Sequence, residues 1–486
     1  MLSLALEPRR ATRRDARPRS LRRLLPVLLV ALLTACARPT ATLPPNIVMV
    51  LIDTLRWDRL GAYGSDRGLT PFMDEFASTA TVFRRAYAQS SWTNASVASL
   101  FTSRYQSEHG VTSFFSPLPP EEVTLAEVLH HHGYASGAFL ANFLLRAQLG
   151  FGQGFTTFDS YSRLDPQTPG KFIKATAERI NRESLAWLDQ NATHDPLFLY
   201  LHYMEPHAPF GPLPAALAHV LGGRPAPDVD TVNQAMATWP LVDFAADPAL
   251  MQGTKDLYDA EVMSVDTALR DVFAELRRRG VLDDAIVVVL ADHGEEFLEH
   301  GLIGHNNTLF EEVIRVPLMI HLPEQTQRLD VDRAVSLVDL APTLLDLAGI
   351  AAPPSFDGHS FAPLLRRARD GAWSLSGVRA WWAERTRSEL PVVSELIKEP
   401  SATRHSPHER AIIAGSDKLI AGFDEQREFY DLAADPGEQH PEALDTATRA
   451  RLERSLAPLQ ASAAHGGNAV IDEDTKERMR ALGYTH

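Results

Sequence analysis

The feature that most constrains the fold of this 486-residue chain is a set of apolar runs that end in polar residues. Each run is long enough for one strand, and the polar residues come at its carboxyl end. The runs are NIVMVLID (46–53), DPLFLYLHY (195–203) and AIVVVLADH (285–293), with VPLMIHL (316–322) as a further strand candidate. Continuous apolar strands are typical of parallel sheets buried on both faces. Open α/β sheets bind ligands at the carboxyl ends of their strands, so these ends are candidate site positions.

Amphipathic segments between these runs predict helices. They are PFMDEFASTA (71–80), EVTLAEVLHHHG (122–133), ATAERINRESLAWLDQ (175–190) and KDLYDAEVMSVDTALRDVFAELRRRG (255–280). Strands that alternate with helices predict an α/β fold, with a large, mostly parallel sheet sandwiched by helices. The Pro-, Ala- and Asp-rich stretch 208–250 predicts a surface excursion near the site.

The last part of the chain predicts a smaller α+β subdomain. Residues 411–423 and 427–432 resemble strands, and residues 472–484 resemble a helix. The expected domains are a signal peptide (1–36), a linker (37–45), a catalytic domain (46–350) and a C-terminal subdomain with a terminal helix (351–486).

Charge is unevenly distributed along the chain. The net charge is −15, which argues against nucleic acid as a partner because binding phosphate backbones needs clustered Lys and Arg. Residues 1–36 hold eight Arg against Glu7 and Asp15, giving +6. The acidic body suits solubility and leaves the substrate open.

The amino-terminal residues predict export. An Arg-rich stretch precedes the apolar run LLPVLLVALL (24–33), which has the length of a signal-peptide core. Leu33-Thr34-Ala35-Cys36 resembles the bacterial lipobox, which implies lipid attachment at Cys36. Since Ala37 follows, we expect an envelope protein anchored to the outer membrane, with a periplasmic or ordinary secreted protein as the alternative. Cys36 is the only cysteine, so no intrachain disulfide can form.

Three stretches carry candidate chemistry. The first is Asp53 at its strand end, where a simple cap or turn is an equal alternative. The second is QSSWTNASVASLF (89–101), which brings hydroxyls to a helix start that either caps the helix or cradles an anion. The third is ADHGEEFLEHGLIGHNN (291–307), where an acid and a histidine end a strand and more histidines follow. Oxygen and imidazole ligands of this kind predict a divalent-metal site.

Taken together, these stretches resemble the sulfatase family of the alkaline-phosphatase superfamily. The matching segments, in the family's order, are IDTLRWDRLGAYG, ASLFTSRY with HGV, FLYLHYMEPHAPF, DHGEEFLEHG with GH, VPLMI, SLVDLAPTLLDLAGI, DGHSFAPLL, FYDLAADPGE and ALGY. They span residues 46–484. The resemblance implies an alkaline-phosphatase-like sandwich and a metal-dependent hydrolase acting on an anionic ester.

The resemblance also implies roles for individual residues. The metal ligands would be Asp53, Thr93, Asp292 and His293, with Zn or Mn favoured and Ca or Mg possible. Thr93 would be the nucleophile. His207 and His305 would contact the transferred group or the leaving oxygen.

Departures from the family pattern bear on the substrate. Sulfatases convert a Cys or Ser in a C/S-x-P-S-R motif to formylglycine, but this chain reads Thr93-Asn94-Ala95-Ser96-Val97. Threonine cannot be oxidised to an aldehyde at Cβ, and the lysine of the family's G-K-W-H stretch has no counterpart in 133–145. We therefore expect hydrolysis or transfer of a phosphate ester or diester through Thr93. The alternatives are sulfate ester hydrolysis by the unmodified threonine and a non-catalytic lipoprotein that binds anionic polymers.

Several other residues have more than one interpretation. Ser91 and Ser96 are rival nucleophiles. His300 fits a supporting or surface role better than a ligand role, and the histidines at 130–132 fit a solvated helix end. Trp381 and Trp382 fit either the C-terminal core or a substrate groove.

Overall fold

A computed structural model of the chain describes residues 44–164, 172–191, 196–370, 390–397, 408–422, 426–442 and 445–460. The predicted signal peptide with Cys36, Trp381 and Trp382, and the predicted helix 472–484 lie outside these residues. The strands, in chain order, are β1 Asn46–Ile52, β2 Thr81–Tyr87, β3 Ala135–Leu140, β4 Thr157–Ser160, β5 Arg163–Leu164, β6 Phe172–Ile173, β7 Leu197–Tyr203, β8 Ala285–Leu290, β9 Glu296–Phe297, β10 Ile303–Gly304, β11 Arg315–His321, β12 Leu329–Val331, β13 Val335–Ser336, β14 Val392–Ile397, β15 His408–Ala414, β16 Asp417–Gly422 and β17 Arg427–Asp431.

Helices occupy most of the segments between the strands. The α-helices are α1 Pro71–Ala77, α2 Thr93–Thr102, α3 Gln106–His109, α4 Leu125–His131, α5 Ala177–Asn191, α6 Pro214–Leu221, α7 Val229–Ala237, α8 Pro248–Arg278, α9 Glu311–Ile314, α10 Leu340–Leu347, α11 Ala362–Asp370 and α12 Thr446–Gln460. Among the residues that the structure describes, no helix is both long and apolar enough to cross a membrane.

Within the described residues, the large sheet has nine strands in the order β12–β2–β11–β8–β1–β7–β3–β4, with β13 also paired to β2. Every pairing is parallel except those that β11 makes with β2 and β8. Strands β1, β7 and β8 are almost wholly buried, as their continuous apolar sequences require. The predicted α/β fold, with a large, mostly parallel sheet flanked by helices, is therefore confirmed.

The stretch 208–250 is more regular than its sequence indicates. It contains α6 and α7, and α8 begins at Pro248 rather than near residue 255. The Asp247 side chain accepts hydrogen bonds from Ala249 N and Leu250 N at 3.1 and 3.0 Å, and Asp228 caps α7 in the same way. Capping and proline at the first helical position start these helices despite their weak apolar periodicity.

In the described portion of the C-terminal part, β14–β15–β16–β17 form a four-stranded antiparallel sheet. The segment 411–423, predicted as strand, turns at Gly415 (φ +68°); it contains β16 and the end of β15, which begins at His408. Strand β14, which the sequence did not indicate, fastens this sheet to the body of the protein. Glu395 N donates to the carbonyl of Gln89 at 2.7 Å, and the Glu395 side chain pairs with buried Arg410 at 2.6 Å.

Candidate active site

Two neighbouring strands of the large sheet place acidic residues side by side. Strands β1 and β8 run parallel with Leu51 opposite Leu290, so the residues that follow each strand meet at one edge. Asp53 follows β1, and Asp292 and His293 follow β8. One ligand atom from each of these three buried residues lies within 4.8 Å of the others. His293 Nε2 is 3.6 Å from Asp53 Oδ1 and 3.5 Å from Asp292 Oδ2.

The carboxylate oxygens of this cluster that lack a hydrogen-bond partner among the described residues are suited to bind a cation. Asp53 Oδ1 and Asp292 Oδ2 are buried and have no hydrogen-bond partner among the described residues. Two uncompensated carboxylate oxygens facing each other are costly in an apolar interior, and a divalent ion would stabilise both. His293 Nδ1 lies 3.0 Å from the Gly294 carbonyl oxygen. The carbonyl can only accept, so Nδ1 carries the proton and the Nε2 lone pair faces the carboxylates.

Burial and neighbouring charges set the protonation of the cluster. Burial, together with His305, lowers the pKa of His293 to about 3, which keeps its imidazole neutral and able to ligate. Burial, followed by the charge of Asp53, raises the pKa of Asp292 well above its ordinary value. Burial alone would also raise the pKa of Asp53, but the hydrogen bond from His202 and the neighbouring imidazoles hold it below the ordinary value. Of the two carboxyl groups in the metal-free cluster, Asp53 is therefore the one that ionises more readily.

Thr93 joins this cluster from another part of the fold. It is the first residue of α2, and its Oγ1 lies 3.2 Å from His293 Nε2. The Ser96 hydroxyl, one turn further along, donates to the Asp292 carbonyl at 2.7 Å and ties the helix to the end of β8. That bond gives Ser96 a positioning contact. Ser91 Oγ is buried without a hydrogen-bond partner among the described residues.

His207 and His305 extend the site beyond the cluster. The His305 ring lies between the other two imidazoles, with centroids 4.6 Å from His293 and 5.0 Å from His207. His305 Nδ1 is 3.3 Å from Glu295 Oε1. Burial raises the pKa of Glu295 to about 7, although His207 and His293 oppose the shift, and burial lowers the pKa of His207. The structure therefore brings all the sequence-predicted site residues into one region.

The sequence analysis did not identify some residues of this region as part of the site. Asn142 and His202 both donate to Asp53, Glu295 contacts His305, and Arg56 holds the loop after β8. The Arg56 guanidinium donates to the Glu295 carbonyl at 2.8 Å and to Glu299 at 2.6 Å. The histidine inside LYLHY was a visible signal, because a polar residue in a fully buried strand needs a buried partner.

Other histidines lie away from the cluster. His300 Nδ1 is 2.6 Å from Glu312 Oε1, and its Nε2 is 3.1 Å from the Glu438 carbonyl, so it links the loop to the C-terminal part. His130, His131 and His132 are exposed at the end of α4. His300 thus has the supporting position that the sequence favoured, and the triplet has the solvated one.

Fold and site together define a mixed α/β protein with a candidate divalent-metal centre at the carboxyl edge of its large sheet. The family model described as Sulfatase matches residues 45–350, and the chain belongs to the sulfatase family. It is 23% identical to an N-acetylglucosamine-6-O-sulfatase of Bacteroides thetaiotaomicron, with 86% of each chain covered. It is 26% identical to human arylsulfatase A, with 84% of this chain and 85% of that protein covered.

Solved structures share the fold. The phosphonate monoester hydrolase of Agrobacterium radiobacter superposes with a TM-score of 0.68 at 21% identity, covering 86% of this chain and 96% of that one. Membership of the sulfatase family, and not the shared fold, makes the protein a hydrolase acting on ester bonds, in a family whose members typically bind metal.

Proposed function

We propose that the protein is a metal-dependent enzyme that hydrolyses or transfers a phosphate ester or diester, with Thr93 as its nucleophile. One observation carries the proposal: Thr93 Oγ1 lies 3.2 Å from His293 Nε2, beside the two carboxylates with free oxygens. A hydroxyl in that position is adjacent to the predicted cation. Zn or Mn is the favoured ion, with Ca or Mg as alternatives.

The chemistry divides among the residues of the site. A bound divalent cation would lower the pKa of the Thr93 hydroxyl and offset the charge of the ester. The Thr93 hydroxyl loses its proton to solvent, and its oxygen forms a bond to the phosphorus while the bond from phosphorus to the leaving oxygen breaks. His305, oriented by Glu295, is placed to protonate that leaving oxygen. Water or a second hydroxyl then attacks the phosphorus and gives its proton to His305, while the bond from phosphorus to the Thr93 oxygen breaks and that oxygen regains a proton from solvent.

The residues around Thr93 favour phosphate over sulfate. An unmodified threonine cannot form formylglycine, and Val97, buried inside α2, replaces the arginine of the formylglycine motif. A phosphate ester of Thr93 can be resolved by a second attack, of water or a hydroxyl, on the phosphorus, and no modified nucleophile is needed. Sulfate ester hydrolysis by unmodified Thr93 is the second candidate, since the similar Bacteroides protein is described as a sulfatase.

A substrate panel tests the proposal. The purified full chain, stripped of metal and reloaded with Zn, Mn, Ca or Mg, is assayed with a chromogenic phosphodiester, phosphomonoester and sulfate ester. We expect turnover of a phosphate substrate with Zn or Mn. Turnover of the sulfate ester alone would establish the second candidate. Tight metal binding without any turnover would favour the non-catalytic lipoprotein that binds anionic polymers.

We also propose that Cys36 carries a lipid that anchors the protein in a bacterial cell envelope, in the outer membrane. The apolar run 24–33 and the segment Leu33-Thr34-Ala35-Cys36 support this proposal. Labelling of bacterial cells with a palmitate analogue should mark the wild type but not Cys36→Ser. Equal labelling of both would exclude attachment at this cysteine.

A further inference from the structure

Only one of the two carboxylate oxygens of Asp53 accepts hydrogen bonds from the described residues. Its Oδ2 accepts hydrogen bonds from Asn142 Nδ2 at 2.8 Å and from His202 Nε2 at 3.2 Å. Its Oδ1 accepts none from the described residues and lies 3.6 Å from His293 Nε2. Asn142 and His202 are themselves buried. The carboxylate therefore has one oxygen fixed by the protein and one left for a ligand.

The two donors are fixed in their turn. Asn142 Oδ1 accepts from Leu144 N at 2.8 Å, so the amide cannot flip without losing both contacts. The Tyr200 hydroxyl lies 2.9 Å from His202 Nδ1, while Nε2 faces the acceptor-only carboxylate. The proton of the imidazole is therefore assigned to Nε2, with the Tyr200 hydroxyl donating to Nδ1. Asn142 lies just after the end of β3, and His202 lies near the end of β7. In the sheet, β7 is the neighbour of β1, and β3 is the neighbour of β7.

Asp292 shows the same division. Its Oδ1 accepts from the backbone N–H of His293 at 3.0 Å, and its Oδ2 has no partner among the described residues. His293 contributes only Nε2, because its Nδ1 donates to Gly294. The three residues thus present one partner-free ligand atom each among the described residues, and Asp53 cannot chelate through both oxygens without losing a hydrogen bond, because its Oδ2 already accepts two.

We propose that Asn142 and His202 are positioning residues that restrict Asp53 to a single ligating oxygen and thereby select Zn²⁺ over Ca²⁺. Zn²⁺ takes roughly four close ligands and accepts nitrogen readily. Ca²⁺ takes roughly six to eight oxygens and commonly uses both oxygens of a carboxylate. A site that offers two single carboxylate oxygens, one imidazole nitrogen and the Thr93 hydroxyl suits the first ion and leaves the second under-coordinated.

This inference rests on the metal centre of the proposed function, but not on the nucleophile or the ester. Metal binding therefore tests it without any turnover. The dissociation constants of Zn²⁺ and Ca²⁺ would be measured for the full chain by competition with a chromophoric chelator. The matched variants are His202→Leu, which removes the donor, and His202→Gln, which keeps a donor at the position of Nε2. Asn142→Ala is an independent second removal, and thermal unfolding in EDTA checks that each variant folds.

The selectivity ratio decides the outcome. We expect His202→Leu and Asn142→Ala each to weaken Zn²⁺ binding by about tenfold to a hundredfold, as loss of residues supporting a ligand usually does. Ca²⁺ binding should stay unchanged or tighten, because Asp53 becomes free to use both oxygens, and His202→Gln should restore the Zn²⁺ preference. Equal weakening of both ions, or no change in folded variants, would overturn the inference while leaving the proposed function intact. A wild type that binds neither ion would overturn both.

Discussion

Thr93 Oγ1 lies 3.2 Å from His293 Nε2, although the two residues are 200 positions apart in the chain. The contact joins the first residue of α2 to the residue that follows Asp292 at the end of β8. It brings a hydroxyl at a helix N-terminus, where backbone N–H groups favour an anion, next to the predicted ion. The relationship makes Thr93 the residue whose substitution tests the proposed chemistry most directly.

Thr93→Ala should lower kcat with the preferred phosphate substrate by about a thousandfold or more, because the nucleophile is lost. Thr93→Ser keeps the hydroxyl and should retain measurable turnover. Steady-state kinetics on the metal-loaded proteins checks both. Intact-mass spectrometry after rapid acid quench should show the transferred group on the wild type and not on the alanine variant. An alanine variant of near wild-type activity would move the nucleophile to Ser91 or to water.

The positions that were predictable from the sequence are those at strand ends. Asp53, Asp292 and His293 end buried apolar runs, and parallel strands bring such ends to one edge, so their proximity follows from periodicity and topology. The order of the strands in the sheet, in contrast, cannot be predicted from the periodicity of the sequence. β1 and β8 are neighbours despite the intervening helices, and only long-range packing decides this. Asn142 was missed for the same reason, because its partner Asp53 is 89 positions away.

The C-terminal part contains a second feature that could not be predicted from the sequence, the strand β14. β14 lies in a stretch of mixed composition, and its register is set by Glu395 N bonding to Gln89 and Glu395 pairing with Arg410. Such contacts carry no local periodic signal. The domain boundaries and the roles of the site residues remain predictions, as does attachment through Cys36.

His305→Gln should slow substrates with poor leaving groups far more than substrates with good ones. A general acid contributes about a hundredfold to ten-thousandfold when the leaving oxygen needs a proton, and little for 4-nitrophenolate. The check is kcat/KM for a series of phosphodiesters with leaving alcohols of increasing pKa. Glu295→Gln, which removes only the carboxylate 3.3 Å from His305 Nδ1, should give a smaller loss in the same direction. A uniform loss across the series would exclude His305 as the acid.

Gly294→Ala should disrupt the metal cluster without touching a ligand. A Cβ at this position would overlap the carbonyl oxygen of Glu312, and Gly294 N donates to the Val313 carbonyl at 2.7 Å, so the backbone cannot shift freely. Overpacking of this kind costs about 1–3 kcal/mol and would displace the adjacent His293. We expect a lower melting temperature in EDTA and weaker Zn²⁺ binding. Gly211→Ala, where a Cβ meets nothing within 4 Å, is the control and should be near neutral. Unchanged metal affinity in Gly294→Ala would mean that the loop adapts.

Glu296 should make the metal-free protein less stable as the pH rises. Burial raises the pKa of its carboxyl to about 8, although Thr308 and Asn307 donate to it. Below the ordinary value of 4.5, the carboxyl is protonated in both the folded and the unfolded chain. Between 4.5 and about 8 the unfolded chain releases the proton and the folded chain retains it. The free energy of unfolding therefore falls across this window and levels off above it.

Glu296→Gln removes that ionisation and keeps the shape of the side chain. Since each pKa unit corresponds to about 1.4 kcal/mol, the variant should gain a few kcal/mol over the wild type near pH 8 and little near pH 5. Urea unfolding in EDTA from pH 5 to pH 9 measures the difference. Glu178→Gln, an exposed position on α5, serves as the control and should follow the wild-type curve. If Glu296→Gln keeps the wild-type slope, Glu296 is already ionised in the folded protein, and the buried carboxylate is stabilised by Thr308 and Asn307.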